Sequence, residues 1–192
     1  KDYCGHCKGC VGSLCTMTRT RNRFHGQHMI NTMLNRMIAY NAGDPMRIQH
    51  AVKVFAFAQN IARNEQCSED LVFTLSLAAI LHDIGIRNAE EKYHSSAGNY
   101  QEREGPPVAE KLMEDLTMEK SVKDRILYLI GNHHTYTNIN GIDYQILIEA
   151  DFLVNIFEDR LHKESIDSIK KNIFRTKSGI TLLDTLYYNG GS

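Results

Sequence analysis

The chain has 192 residues, 42% of them hydrophobic and 23% charged, and its net charge is −1. This is the composition of an ordinary globular domain large enough to bury a real core. It excludes bulk attraction to a nucleic acid polymer or an anionic membrane surface. No apolar run approaches the roughly 20 residues of a membrane span.

The first segment is unusual. Four of the five cysteines, Cys4, Cys7, Cys10 and Cys15, crowd into "CGHCKGCVGSLC", and the fifth, Cys67, stands alone. An odd count with no secretory leader pattern argues against a disulfide scaffold, so a cytoplasmic, reducing setting is expected. The four thiols are close enough to wrap one ion, either a structural zinc or an iron–sulfur cluster on the C-x-x-C-x-x-C run. The alternative is a reduced tail that binds nothing. The stretch "TRTRNRFHGQH" is basic, and residues 1–26 are taken as a Cys-rich, basic N-terminal segment with the main domain over 27–192.

From there the pattern is helical. A first helix is predicted from about Gln27 to Tyr40, with Gly43 beyond its end. Asp44-Pro45 supplies an N-cap and a first-turn proline for a second helix, "DPMRIQHAVKVFAFAQNIARNE". Ser68, followed by Glu69 and Asp70, opens a third that ends at His82-Asp83. Residues 84–105 read as a polar, glycine-bearing loop in which Lys92 and His94 could form a lid, although a plain solvated loop is the simpler account. Pro106-Pro107 is expected to start a short helix to about Leu116. Further helices are predicted from about Glu119 to Asn132, over "DYQILIEADFLVNIFEDRL", and near 164–172 and 178–188. The class is all-α, a compact bundle.

Several polar residues lie where an apolar face should continue. His50, Val54, Phe57 and Ile61 share one face of the second helix, and Arg47 lies a turn before them. Asp151 stands between Leu147, Ile148 and Val154. His82 and Asp83 close an apolar run, with Gly85 expected to end that helix in the left-handed conformation. His133 and His134 continue the apolar stripes of the helix predicted to end near Asn132. Each has a bland explanation: a satisfied core histidine, a buried salt bridge, an exposed helix end. Taken together, His50, His82, Asp83 and Asp151 form a mixed nitrogen and oxygen donor set suited to Fe, Mn, Co, Ni or Zn.

Three segments, "RIQHAVKVFAFAQNIA", "LAAILHDIG" and "IEADFLV", resemble the HD superfamily of metal-dependent phosphohydrolases in type, order and separation. The resemblance spans about Pro45 to Asp159. It implies an all-α fold with a five-helix core and one divalent metal on His50, His82, Asp83 and Asp151. The implied activity is hydrolysis of a phosphoester or phosphoanhydride, commonly in nucleotides, through a metal-activated water. Asp83 and Arg47 are then the candidate catalytic residues, Arg47 as a fork for phosphate. Some members of the superfamily hold a second metal; here the candidates are His133 and His134, with Glu102 or Glu104 replacing a histidine whose place Gln101 occupies. The expected partner is a small phosphorylated substrate, with no nucleic acid polymer and no membrane. Two other readings stay open: a di-iron oxygenase on the same fold, and a non-catalytic nucleotide-binding module.

Overall fold

The computed structural model describes residues 13–188, with side chains from Gly26 onward. Cys4, Cys7 and Cys10, and the side chain of Cys15, lie outside the described residues, so the expected N-terminal ion site is not addressed by the structure. Among the described residues there are nine helices and no strand: α1 Ser13–Tyr40, α2 Pro45–Asn64, α3 Glu69–Leu81, α4 Ile86–Tyr93, α5 Gly98–Leu112, α6 Lys120–Ile130, α7 Ile142–Glu158, α8 Lys163–Asn172 and α9 Lys177–Tyr187. None of these helices is long and apolar enough to cross a membrane.

The helix starts follow local chemistry. The Asp44 side chain accepts from the Arg47 backbone N–H, and Ser68 accepts from that of Leu71, so at each start an otherwise unpaired amide gains a partner. Thr176 does the same for Gly179 at the start of α9.

Two helices hold the centre. Every residue of α3 from Thr74 to Leu81 is buried, as expected for a helix surrounded by others. In α7 the buried run is almost as complete, from Ile146 to Asp151 and on through Leu153, Val154 and Ile156. Helix α2 packs against both, while α1 and α6 cover α3 from other sides. Leu75, Leu77, Ala78, Ile80, Ile126, Leu129, Leu147 and Val154 belong to the resulting core.

The structure corrects the expected helix bounds in three places. Helix α1 begins at Ser13 rather than near Gln27. The span 84–105 is not a loop: it contains α4 and the first half of α5. Pro106 and Pro107 do not open a helix; they sit inside α5, which starts at Gly98. The apolar pattern hides α5 because its inward stripe is made of Gln101, Glu104, Gly105 and Ala109, of which only the last is hydrophobic. Proline removes a backbone donor and disfavours a helix interior, but α5 is held on one side by α4 and on the other by α6.

Gly85 departs from expectation in a more useful way. Its φ is −79°, an ordinary right-handed value, so the glycine is not there to reverse the chain. It is there because α5 passes too close for a side chain. A Cβ at Gly85 would lie 2.5 Å from the Gly105 nitrogen and 2.6 Å from the Gln101 carbonyl oxygen. These are backbone atoms and cannot move aside cheaply. Gly85→Ala is expected to cost about 1–3 kcal/mol through overpacking. Thermal unfolding should show it as a fall in Tm of about 2–4 °C per kcal/mol.

Candidate metal centre

Four side chains, from two helices and one turn, meet at the centre of the bundle. His50 comes from α2 and Asp151 from α7, while His82 and Asp83 occupy the turn that follows α3. That turn stays right-handed through His82. Ile84 N–H donates to Leu81 O and Ile86 N–H donates to Asp83 O, a tight three-residue spacing. The tightening lets two adjacent side chains reach one point.

The distances define a shared centre. His50 Nε2 lies 3.2 Å from His82 Nε2 and 3.1 Å from Asp151 Oδ1. Asp83 Oδ2 is 3.4 Å from each of the same two nitrogens. His82 is fully buried and Asp151 is 4% exposed, whereas Asp83 is only partly covered.

The second nitrogen of each ring decides what the first can do. His82 Nδ1 lies 2.8 Å from the Ala79 carbonyl oxygen, which can only accept, so Nδ1 carries the hydrogen. His50 Nδ1 donates over 2.8 Å to the carboxylate of Glu158, which also takes Lys53. Neutral rings so arranged aim two Nε2 lone pairs at each other and at two carboxylate oxygens. Four acceptors at this spacing repel one another, and a cation at their centre turns that repulsion into attraction. A carboxylate or carbonyl behind each histidine is also how proteins orient metal-binding imidazoles. Asn155 Nδ2 adds a bond to Asp151 Oδ1 at 2.9 Å.

Electrostatics agree with the geometry. Burial disfavours charge on His82, but Asp83 and Asp151 outweigh it and raise its pKa well above the ordinary 6.5. Burial also opposes ionisation of Asp83 and Asp151. The histidines nevertheless hold both carboxyls well below the usual carboxylate range.

A second group adjoins the first through Asp83. Ligand atoms of Asp83, His133 and His134 lie within 4.8 Å of one another. His133 Nδ1 donates to the Ile130 carbonyl, and its Nε2 lies 3.3 Å from Asp83 Oδ1. His134 Nε2 is engaged by Gln101 Oε1 at 3.1 Å, and burial, with the neighbouring His133, pushes its pKa down to about 4. Tyr136, in the loop before α7, is pushed up to about 12 by burial and by the nearby carboxylates of Asp151 and Glu102.

The remaining candidates are placed elsewhere. Glu104 turns away to accept from Lys92 and Tyr93, and Glu102 accepts from the His134 backbone N–H and the Thr135 hydroxyl. Neither carboxylate joins the two histidines; Gln101 itself faces His134. The Arg47 guanidinium is held by Glu90 at 2.6 Å and by Asp44 at 3.3 Å, so it is not a free phosphate fork. Lys92 is likewise paired rather than poised as a lid. Sequence reasoning missed Glu158, and it placed Gln101 where a ligand histidine was expected without giving it a role of its own. The usable cue for Glu158 was its place two turns after Asp151 on α7, on the side that faces α2. The cue for Gln101 was less direct, since its inward position shows only once α5 is known to be a helix.

Metal and protons compete for the same imidazole nitrogens. Because the pKa of His82 is raised, protons compete over a range that begins above 6.5. Apparent metal affinity, followed by calorimetry, should therefore weaken as pH falls, with the loss setting in above 6.5, by about tenfold per unit for each proton displaced. Glu158→Gln removes the charge behind His50 and is expected to weaken metal binding about 10–100-fold, with the fold intact.

Comparison with known proteins agrees with this picture. The family model described as HD domain matches residues 47–173. A predicted HD superfamily hydrolase from an uncultured Thermotogales bacterium, known as a crystal structure, superposes with a TM-score of 0.59 at 24% identity, over 81% of this chain and 83% of that one. At that identity the likeness speaks for the fold. Among curated proteins no match is found. With the family model covering most of the chain, including all four converging residues, the protein belongs to the HD domain family.

Proposed function

We propose that the protein is a metal-dependent phosphohydrolase acting on a small phosphorylated compound, most simply a nucleotide. The observation that supports it is the convergence of His50 Nε2, His82 Nε2, Asp83 and Asp151, with each ring's Nδ1 already committed to a fixed acceptor. His50, His82, Asp83 and Asp151 would hold one divalent ion of the Fe, Mn, Co, Ni or Zn kind, for which two imidazoles and two carboxylates are a suitable set. Such an ion supplies a Lewis acid that brings the pKa of a bound water toward about 7 and offsets charge on the phosphoryl group.

The chain's own residues do the rest. Ala79 O and Glu158 hold the Nδ1 hydrogens of His82 and His50, so it is the Nε2 atom of each ring that faces the ion once any proton there has left. Asp83 turns one oxygen to those rings and the other to His133, 3.3 Å away. The Asp83–His133 pair would hold the proton released when water attacks phosphorus and the P–O bond to the leaving group breaks. Arg47 and Lys92, each bound by a carboxylate, are given no part in holding phosphate.

A phosphate-release screen of nucleoside phosphates, run beside elemental analysis, tests the reading. Chelation should abolish release, and the matching ion should restore it. His82→Ala should lose both bound metal and turnover. Arg47→Ala should keep both and lose only the ~0.2–1 kcal/mol of stability typical of a surface ion pair. Phosphate release at the normal rate from metal-free protein would sink the proposal; so would oxygen consumption without phosphate release, which is the signature of an oxygenase.

A further inference from the structure

Glu158 faces two ways. It accepts from His50 Nδ1, and it also lines a cavity of about 360 Å³ where the end of α7 meets α8 and α9. That volume is within the range of small-molecule sites. Much of the lining is apolar: Ile156 and Ile166 are buried, and Leu161 is half-buried. Phe157 lines the same space with 70% of its surface exposed. The Tyr187 hydroxyl also belongs to the lining residues, but its hydrogen is committed to the Leu153 carbonyl.

Helix α7 ends at this cavity in an uncommon way. Arg160 N–H donates to Phe157 O and Leu161 N–H donates to Ile156 O, the pair of bonds that closes a helix through one left-handed residue. That residue is Arg160, with φ 52°. The place ordinarily goes to glycine, because a side chain there is strained. What the chain keeps at that place is a guanidinium beside the cavity. Among the described residues this guanidinium has no ion pair and no hydrogen bond.

The cavity thus carries two charged groups of opposite sign. Each Glu158 oxygen has one partner, Lys53 or His50, and keeps a lone pair for another donor. Glu158 is also the last residue of α7, at the negative end of the helix dipole, which favours a cation. Arg160 offers its planar fork to a carboxylate. An ammonium, a carboxylate and an apolar side chain on one small molecule match these features. We propose that the cavity binds an apolar α-amino acid, with its ammonium on Glu158, its carboxylate on Arg160 and its side chain against Ile156, Leu161 and Ile166. Because Glu158 also supports His50, the bound amino acid draws on the charge behind that ring and weakens the hold of the quartet on an ion. The inference goes beyond the phosphohydrolase reading and does not depend on it.

Calorimetric titration of the full chain with leucine reads the site directly. Isoamylamine lacks the carboxylate and isocaproate lacks the ammonium, and each should bind about tenfold or more weakly than leucine, as expected for a lost charged hydrogen bond. Glycine, without the apolar side chain, should also bind more weakly. Arg160→Gly should remove the preference for leucine over isoamylamine, while Tm stays the same or rises because glycine suits a left-handed residue. No binding of leucine up to about 10 mM would overturn the site. So would an unchanged leucine preference in Arg160→Gly, which would leave Arg160 as a helix end alone. Manganese, which free leucine chelates weakly, reports the link to the quartet. Saturating leucine should weaken manganese affinity by up to about tenfold, the low end for disturbing the partner of a metal-bound histidine. Manganese should weaken leucine binding by the same factor. Leucine that binds without changing manganese affinity would overturn the link through Glu158. No turnover is measured, so failure of the phosphohydrolase reading leaves each of these outcomes readable.

Discussion

Two imidazole nitrogens, His50 Nε2 and His82 Nε2, stand 3.2 Å apart with their hydrogens committed on the far side of each ring. Two carboxylates close the same space. In a low-dielectric interior such a set is costly unless a positive charge sits among the donors. The cost is local, but the device that maintains it is the whole bundle. Helix α2 brings His50, α7 brings Asp151, and the turn after α3 brings the remaining pair. Displacing any one of these elements would leave buried polar groups without partners, so the packing of α2, α3 and α7 and the geometry of the centre are one constraint.

The turn that carries His82 and Asp83 shows how narrow that constraint is. It does not reverse the chain with a left-handed residue; it continues right-handed and passes into α4. Gly85 and Gly105 let the start of α4 and the middle of α5 approach backbone to backbone. Gln101, one turn before Gly105 on α5, is brought to His134 by the same approach. A glycine contact made for packing thus sets the distance between the quartet and the wall beside it.

That wall distinguishes this chain from a plain assembly of metal ligands. Gln101 can offer His134 only an oxygen, and it is itself anchored by the Ser96 carbonyl. The consequence is an amide anchor for His134 rather than a second cluster of carboxylates. Glu102 and Glu104 have the right chemistry for ligands, but one is engaged by His134 N–H and Thr135 and the other by Lys92 and Tyr93. Charge alone does not make a ligand; direction and competing partners decide.

Much of the fold was legible in the sequence because it depends on local rules. Asp44 and Ser68 cap α2 and α3 as their short polar side chains require, and the apolar stripe of α7 follows the helical period. His50, His82, Asp83 and Asp151 stood out because polar groups on apolar faces need a common partner, and they meet as that logic requires. What the sequence did not reveal depends on contacts between distant segments. Helix α5 escaped detection because its inward face is glutamine, glutamate and glycine, and its prolines imitate a helix start. The pairing of Arg47 with Glu90, the support of His50 by Glu158 and the anchoring of His134 by Gln101 join residues 43, 108 and 33 positions apart. Periodicity reports which face a residue occupies; only the tertiary structure decides which partner waits there, because that choice is made by the crossing of helices and not by any one of them.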